Sequence, residues 1–198
     1  MDENIIEELD LMHENLVRSG FFDEDEILEI LEEQFMDEDG IDFDNLTIEL
    51  MDSSNSNFSR LEEAFTALSK EGIIAVHNCG YDIEEGVNDA FELLVHLKNN
   101  KFDPIGFCFY TFEDIEEAIS EDKLNITFGD FNNNESEALE IGKTVKHVLG
   151  SFDFNVVWDG SVDNQIVINP FVWDKKFTPD REYEMEGAFD NFVKNNQV

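Results

Sequence analysis

The sequence predicts an α+β protein: a mixed, roughly five-stranded sheet with packed helices, preceded by an acidic helical N-terminal region. Three observations lead to this prediction. From residue 59 onward, segments with helical periodicity alternate with short β-branched and aromatic runs, in the order αβαβαβαββα. The last two strands are joined by a short loop, so we expect them to be antiparallel. Residues 1–57 show two helical patterns and hold 20 acidic side chains against one base, Arg18.

Two amphipathic helices are predicted in the N-terminal region. Residues 4–18 place apolar side chains at helical spacing, forming one stripe with acids around it. The second helix starts after Asp23, which can form a capping box with Glu26. Residues 45–51 fit either a short helix or a strand, and residues 52–57 have the composition of a linker. We therefore expect an acidic helical region over 1–57 and an α+β domain with a C-terminal helix over 58–198.

Capping signals mark the expected helix starts of the second domain. The pairs are Ser59 with Glu62, Asp82 with Glu85, Thr111 with Asp114 and Asn134 with Glu137. Strands are predicted at 73–78, 105–111 and 124–130, and two more within 155–169. Thr178-Pro179 fits the cap and first position of a last helix.

The formal charge of −36 excludes several partner classes. Nucleic acid and anionic lipid need Lys and Arg to replace counterions, so we expect neither as a partner. No stretch approaches the ~20 apolar residues of a membrane span. The two cysteines are too few for a disulfide framework, and the N-terminus lacks the pattern of a signal peptide. We expect a cytoplasmic protein.

Four segments after residue 58 occur in the order seen in a known family. They are RLEEAFTALSKEGIIAVHN, GFCFYTFEDIEEAI, LNITFGDF and VVWDGSVDNQIVI, with a looser likeness in VRSGFFDEDEILE. Over roughly residues 59–175 the chain resembles the bacterial family known as domain of unknown function 6891. The resemblance implies fold boundaries and no established activity. It also implies several cysteines directly after the first strand, whereas this chain has only Cys79 there, so no metal site is carried over.

An acidic segment, MDEDGIDFDNLTIE, invites comparison with a helix-loop-helix calcium site. Such a loop needs oxygen ligands at positions 1, 3 and 5, glycine at 6 and glutamate at 12. Counting from Asp37 puts Ile41 at position 5 and Ile48 at position 12, so the template fails. We expect no specific metal site and no cofactor.

The segment HNCGYD lies where the first strand of the predicted sheet ends and a helix begins, a common position for sites in α/β folds. His77, Cys79 and Tyr81 supply a base, a thiol and a phenol, so a cysteine nucleophile with a histidine base is one interpretation. The other is a turn, with Gly80 for backbone freedom and Asp82 as the helix cap.

The segment WDGSVDN raises a similar choice. Asp159 and Asp163 offer a pair of carboxylates for acid/base chemistry, and Trp158 stands beside them in the sequence. Asp-Gly between apolar runs is also ordinary turn chemistry. Both interpretations stay open.

The acidic N-terminal surface is the predicted partner-binding site. Its residues are Asp23, Glu24, Asp25, Glu29, Glu32, Glu33, Asp37, Glu38 and Asp39. We expect a non-enzymatic binding or inhibitor-type protein whose partner is a basic protein. Plain solubility, mimicry of a nucleic-acid backbone and a salty cytoplasm are alternative explanations of the charge. The alternative function is an enzyme of unknown class with a site near His77, Cys79 and Tyr81. Trp158 and Asp159 would join that site if the first and fourth strands end on the same side of the sheet.

Overall fold

The computed structural model describes residues 3–38, 40–43, 46–52 and 54–197. In these residues the helices are α1 (Glu3–Ser19), α2 (Glu24–Gln34), α3 (Ser56–Lys70), α4 (Ile83–Asn99), α5 (Phe112–Glu121), α6 (Glu135–Ser151) and α7 (Met185–Asn196). The strands are β1 (Ile73–Val76), β2 (Gly106–Phe109), β3 (Leu124–Gly129), β4 (Val156–Val157) and β5 (Ile166–Ile168). The predicted α+β class and the predicted order of elements are confirmed.

The five strands form one mixed sheet in the order β1-β2-β3-β5-β4. Strands β1 and β2 are parallel, and every other neighbouring pair is antiparallel, including β4 with β5. Strands β1 and β4 are therefore the two edges of the sheet. This topology decides which of the predicted site residues can meet.

The chain divides into two compact units. The first, called the helical unit here, contains residues 1–56 and 174–180. The second, called the sheet unit, contains residues 57–173 and 181–198. A short segment from late in the chain thus belongs to the helical unit.

The helical unit is built on the apolar faces of α1 and α2. Leu9 and Leu16 of α1 are buried, as are Ile27 and Leu31 of α2. The predicted capping box at Asp23 is present, with its carboxylate 2.9 Å from the Glu26 amide nitrogen. The free energy gained by burying these apolar side chains exceeds the repulsion between like charges on the solvent-exposed face, which costs roughly a few tenths of a kcal/mol for each pair.

The core of the sheet unit lies around β1 and β2. All four residues of β1 are buried, and so are all four of β2. One cluster joins Ile74 and Val76 to Leu93 and Leu97 of α4 and to Phe192 of α7. Alternate residues of a strand share one face, so α4 and α7 cover the face of the sheet that carries Ile74 and Val76.

Local capping signals located three of the helices of the sheet unit. Asp82 accepts from the Glu85 amide, Thr111 from that of Asp114, and Asn134 from that of Glu137. Each cap satisfies backbone N–H groups that the first turn of a helix leaves without a partner. The predicted starts of α4, α5 and α6 are correct.

Two predicted helix starts are wrong. Helix α3 begins at Ser56 rather than after Ser59, because the Asp174 carboxylate accepts from the Ser56 backbone nitrogen at 2.8 Å. The last helix begins at Met185 rather than at Thr178-Pro179. Asp180 has a φ of 59°, a left-handed conformation that a right-handed helix cannot include. In the part of the chain that is described, no helix is both long enough and apolar enough to cross a bilayer.

Candidate functional site

His77 follows β1 directly and is held in an aromatic cluster. Its side chain is 8% exposed, and its Nδ1 lies 2.9 Å from the Tyr110 hydroxyl oxygen. The ring stacks on Phe65 of α3, with centroids 4.4 Å apart and an interplanar angle of 18°. Phe58 and Tyr183 contact it from two further directions. These contacts fix both the position and the orientation of the imidazole.

One edge of His77 lines a polar pocket of about 230 Å³ in the sheet unit. Its wall also contains Glu62 of α3, Lys194 of α7 and Arg181, which precedes α7. Arg181 forms an ion pair with Glu62 and lies 4.8 Å over the Tyr183 ring. A fixed imidazole beside a charged wall can bind a small polar molecule and exchange a proton with it. We call this the His77 pocket.

Cys79 lies in the hydrophobic core and not in the His77 pocket. It is 1% exposed, belongs to the cluster that includes α4, and its Sγ donates to the Gly86 carbonyl at 3.4 Å. Burial raises the pKa of the Cys79 thiol, and the charges of Asp89 and Glu184 raise it further. Nucleophilic catalysis needs the thiolate, which this environment strongly disfavours.

A left-handed residue, Asn78, with a φ of 49°, stands between His77 and Cys79. Asn78 ends the extended strand. The side chains of His77 and Cys79 therefore do not lie on one face, as they would if the strand continued. His77 packs on α3, whereas Cys79 contacts α4. The turn features expected for this segment are present, because Gly80 has a φ of 69° and Asp82 caps α4.

Tyr81 is 46% exposed and stacks on Phe112, with ring centroids 6.1 Å apart. Partial burial and the carboxylates of Glu116 and Glu113 raise the pKa of its phenol. At neutral pH it therefore stays protonated and can act as a hydrogen-bond donor. Its backbone nitrogen donates to the Glu85 side chain at 2.8 Å, which ties it to the start of α4.

Trp158 and Asp159 form a turn next to β4. The Trp158 indole nitrogen donates to the Ser161 carbonyl at 2.9 Å, and Asp159 accepts from the Ser161 amide at 2.9 Å. Hydrogen bonds from Ser161 and Asn164 lower the pKa of Asp159. Strand β4 is at the opposite edge of the sheet from β1. Four strand spacings of about 4.8 Å separate these residues from His77, so the structure does not bring the two groups together.

The predicted acidic surface lies on α2 and the residues after it. Glu24, Asp25, Glu29, Glu32, Glu33, Asp37 and Glu38 are exposed, and we call these seven residues the acidic surface. Asp23 is half-buried and is used as the helix cap, and Asp39 lies outside the described residues. Five exposed carboxylates of α1 belong to the same unit: Glu3, Glu7, Glu8, Asp10 and Glu14.

Negative charge is concentrated in the helical unit. Its 63 residues include 22 acids and three bases, a formal charge of −19, whereas the 135 residues of the sheet unit carry −17. All three bases have partners within the unit. Arg18 lies 3.2 Å from the Glu14 carboxylate, Lys175 donates to the Gly20 carbonyl, and Lys176 pairs with Asp52. The exposed carboxylates of α2 share their helix with no lysine or arginine.

Sequence reasoning missed the other wall of the His77 pocket. Arg181 and Glu62 are 119 residues apart, and neither belongs to a recognisable motif. The available signal was indirect: an isolated arginine in an acidic chain that precedes the last apolar helix pattern. Among the residues that the structure describes, no group of three or more His, Cys, Asp or Glu side chains is arranged to hold a metal ion.

Comparison with known proteins bears on the family and not on the activity. No curated protein and no solved structure matches the chain. One family model does match, over residues 2–177 of 198, and its description is "Domain of unknown function (DUF6891)". The match includes both α1 and α2 as well as the strands. The chain therefore belongs to the domain of unknown function 6891 family.

Proposed function

We propose that the protein is a non-enzymatic binding protein that docks the acidic surface of its helical unit onto the basic surface of a partner protein. The observation that carries this proposal is the charge of −19 on 63 residues whose three bases are all engaged internally. Solubility of a small domain needs a net charge of magnitude about 2–8. The excess leaves the unit with a standing self-repulsion that a cationic partner would relieve.

The proposed mechanism has two steps. Long-range attraction first speeds the encounter, and it falls off within a Debye length of about 8 Å at physiological salt. Short-range docking then needs apolar contact, which the helical unit offers close to its carboxylates in sequence. Ile6, Leu11 and Met36 are 41%, 60% and 76% exposed. An inhibitor that covers a basic, nuclease-like protein is the type of function that this surface fits.

We further propose that this binding takes place in the cytoplasm. Both cysteines are free and buried, and a chain without disulfides is typical of a reducing compartment. Basic nucleic-acid-processing proteins are also found there, so the proposed partner class and the proposed location agree.

The test compares two variants of equal charge. In the first, Glu29, Glu32, Glu33 and Asp37 of the acidic surface are changed to their amides. In the matched control, four exposed carboxylates of the sheet unit, Glu63, Glu71, Glu84 and Asp190, are changed in the same way. Each protein, including the wild type, is used to capture proteins from a lysate of the source cell at about 50 mM and about 500 mM salt, which differ threefold in Debye length.

The proposal predicts that the wild type and the control capture the same basic protein at low salt and lose it at high salt. The acidic-surface variant should capture much less of it at low salt. Equal capture by the two variants would contradict a localised site and would leave only a general charge effect. Capture that does not respond to salt would contradict electrostatic attraction altogether.

A second candidate function is enzymatic, and one observation favours it: His77 is held rigidly at the wall of a polar pocket. Its test is a thermal-shift screen of small polar metabolites against the wild type and His77→Gln. A metabolite that raises the melting temperature of the wild type alone would support a site at His77. A screen in which no compound distinguishes the two proteins would count against it.

A further inference from the structure

Three phenylalanine side chains form the floor of a groove in the sheet unit, called the phenylalanine groove here. Phe91 comes from α4, Phe107 from β2, and Phe131 follows β3. The ring centroids of Phe91 and Phe131 are 5.3 Å apart, those of Phe107 and Phe131 are 5.3 Å apart, and those of Phe91 and Phe107 are 6.3 Å apart. The three rings are therefore mutually in contact.

The pairing of β2 with β3 determines where the Phe107 ring lies in the groove. Phe107 of β2 lies opposite Gly129 of β3. A Cβ at Gly129 would come within 2.7 Å of the Phe107 ring, so the absence of a side chain lets the ring lie over the strand. Phe91 remains 40% exposed beside it. A large aromatic ring left open to water next to other rings is a typical feature of a binding surface.

The wall of the phenylalanine groove is acidic. Asp130, Glu135 and Asp163 line it, and the lining residues include no lysine, arginine or histidine among those that the structure describes. The Asp130 carboxylate accepts hydrogen bonds from the backbone nitrogens of Asn132 and Asn134, at 2.6 Å and 3.0 Å. The carboxylate at the end of β3 is thus held in place beside the rings.

This combination selects for one kind of occupant. The faces of aromatic rings carry partial negative charge and attract ammonium and guanidinium groups. The carboxylates add attraction for the same groups and repel anions. A purely apolar side chain would cover the rings but would also take water away from the carboxylates without pairing them, which is costly. The alkyl stem of lysine or arginine can lie on the rings while its charged end reaches the carboxylates.

We infer that the phenylalanine groove is a second binding site, which accepts a lysine or arginine side chain presented by an extended segment of a protein partner. A groove volume of about 940 Å³ accommodates such a side chain together with neighbouring backbone. The exposed Asn132 and Asn133 amides at the rim can bond that backbone. This site belongs to the sheet unit and does not depend on the acidic surface of the helical unit.

The test uses residue-specific NMR on the full, ¹⁵N-labelled chain. The probe is acetyl-Gly-Arg-Gly-amide, and the control probe carries citrulline in place of arginine, which keeps the shape and removes the charge. The reporters are the backbone amides of Val87, Gly129 and Asn132 in the groove. A second set of reporters, on α2, records binding to the acidic surface separately.

Two variants separate the contributions of the rings and the carboxylates. Phe91→Leu keeps an apolar side chain and removes an aromatic face, and a part-exposed cation–π contact predicts about two- to fivefold weaker binding at the groove reporters. Glu135→Gln with Asp163→Asn removes two rim charges, and the affinity should fall by about the same factor at low salt. The control Glu63→Gln with Glu71→Gln removes two exposed charges elsewhere in the sheet unit and should leave the groove affinity unchanged.

The inference predicts saturable shifts at the groove reporters with the arginine probe and none with the citrulline probe. Shifts on α2 with no change at the groove would overturn this inference and leave the proposed function standing. Equal binding of both probes at the groove, or full affinity in Phe91→Leu, would also overturn it. Groove binding without shifts on α2 would support the inference and count against the acidic surface.

Discussion

Alkaline pH should lower the stability of the folded protein through its two buried thiols, Cys79 and Cys108, by an amount that follows from their burial. Cys79 is 1% exposed and Cys108 is 0% exposed, in the core of the sheet unit. Burial raises the pKa of each thiol above its ordinary value of 9.0. The cause is the loss of hydration that a buried thiolate would suffer, and for Cys79 neighbouring carboxylates add to it.

The sign of the effect follows from proton binding. Above pH 9 the unfolded chain loses its thiol protons, whereas the folded chain keeps them. The unfolded state therefore binds fewer protons, and the free energy of unfolding falls as the pH rises. The limiting slope is about 1.4 kcal/mol per pH unit for each thiol. Between pH 9.0 and 10.5 the loss is about 1.6 kcal/mol per thiol, or about 3 kcal/mol for the two.

The assay is urea unfolding under reducing conditions at a series of pH values from 7.5 to 10.5, about the range over which free thiols ionise. The wild type is compared with Cys79→Ala, Cys108→Ala and the double variant. Each substitution costs a constant amount for lost packing, but it should also remove its share of the alkaline slope. All other ionisable groups are common to the four proteins, so their contributions cancel in the comparison. If the double variant loses stability as steeply as the wild type, the thiols are not buried as described.

Further predictions concern packing, hydrogen bonding and reactivity. Gly86→Ala should destabilise the protein by about 1–3 kcal/mol, because the new Cβ would lie 2.5 Å from a ring carbon of Phe109 in β2. Gly150→Ala should instead stabilise α6 by about 0.5–1 kcal/mol, because the new Cβ would meet no atom within 4 Å and alanine favours the helix. Thermal or urea unfolding of both variants checks this, and the same sign for the two would contradict it. Tyr110→Phe should cost about 1–3 kcal/mol in urea unfolding, because it removes the buried hydrogen bond between the Tyr110 hydroxyl and His77 Nδ1. A neutral result would mean that the 2.9 Å contact is not a hydrogen bond. Cys79 in the folded protein should alkylate more slowly than a free model thiol, as followed by mass spectrometry, and faster alkylation would restore it as a candidate nucleophile.

The fold could be predicted wherever the deciding interaction is local in sequence. Asp82, Thr111 and Asn134 cap the helices that immediately follow them, so three-residue spacing was enough to find α4, α5 and α6. Helix α3 receives the Asp174 carboxylate at its N-terminus, from 118 residues away. No local pattern records such a partner, whereas Ser59 and Glu62 have the local spacing of a capping box and so predict a later start.

In the candidate site, too, features that are local in sequence could be predicted and contacts between distant residues could not. The proximity of His77 to the end of β1 was visible in the sequence, but its environment depends on rings from α3 and from the segment before α7. Cys79 is two residues from His77, so an extended backbone would place both side chains on one face. The left-handed conformation of Asn78 turns the backbone between them and separates the two side chains. Trp158 could not be excluded from the same site without the strand order, which puts β1 and β4 at opposite edges. The concentration of charge in the N-terminal region, in contrast, is a property of composition and was visible at once.

The central claim is that the acidic surface on α2 is a localised binding site for a basic protein. The measurement that tests it most directly is calorimetric titration of the captured basic protein into the wild type, the four-residue acidic-surface variant and the matched sheet-unit variant, each over a range of salt concentrations. We expect the wild type and the sheet-unit variant to show the same affinity and the same steep loss with salt, and the acidic-surface variant to bind more weakly with a shallower salt dependence. Three superimposable salt curves would contradict the claim, because they would show that no particular carboxylates on α2 are needed.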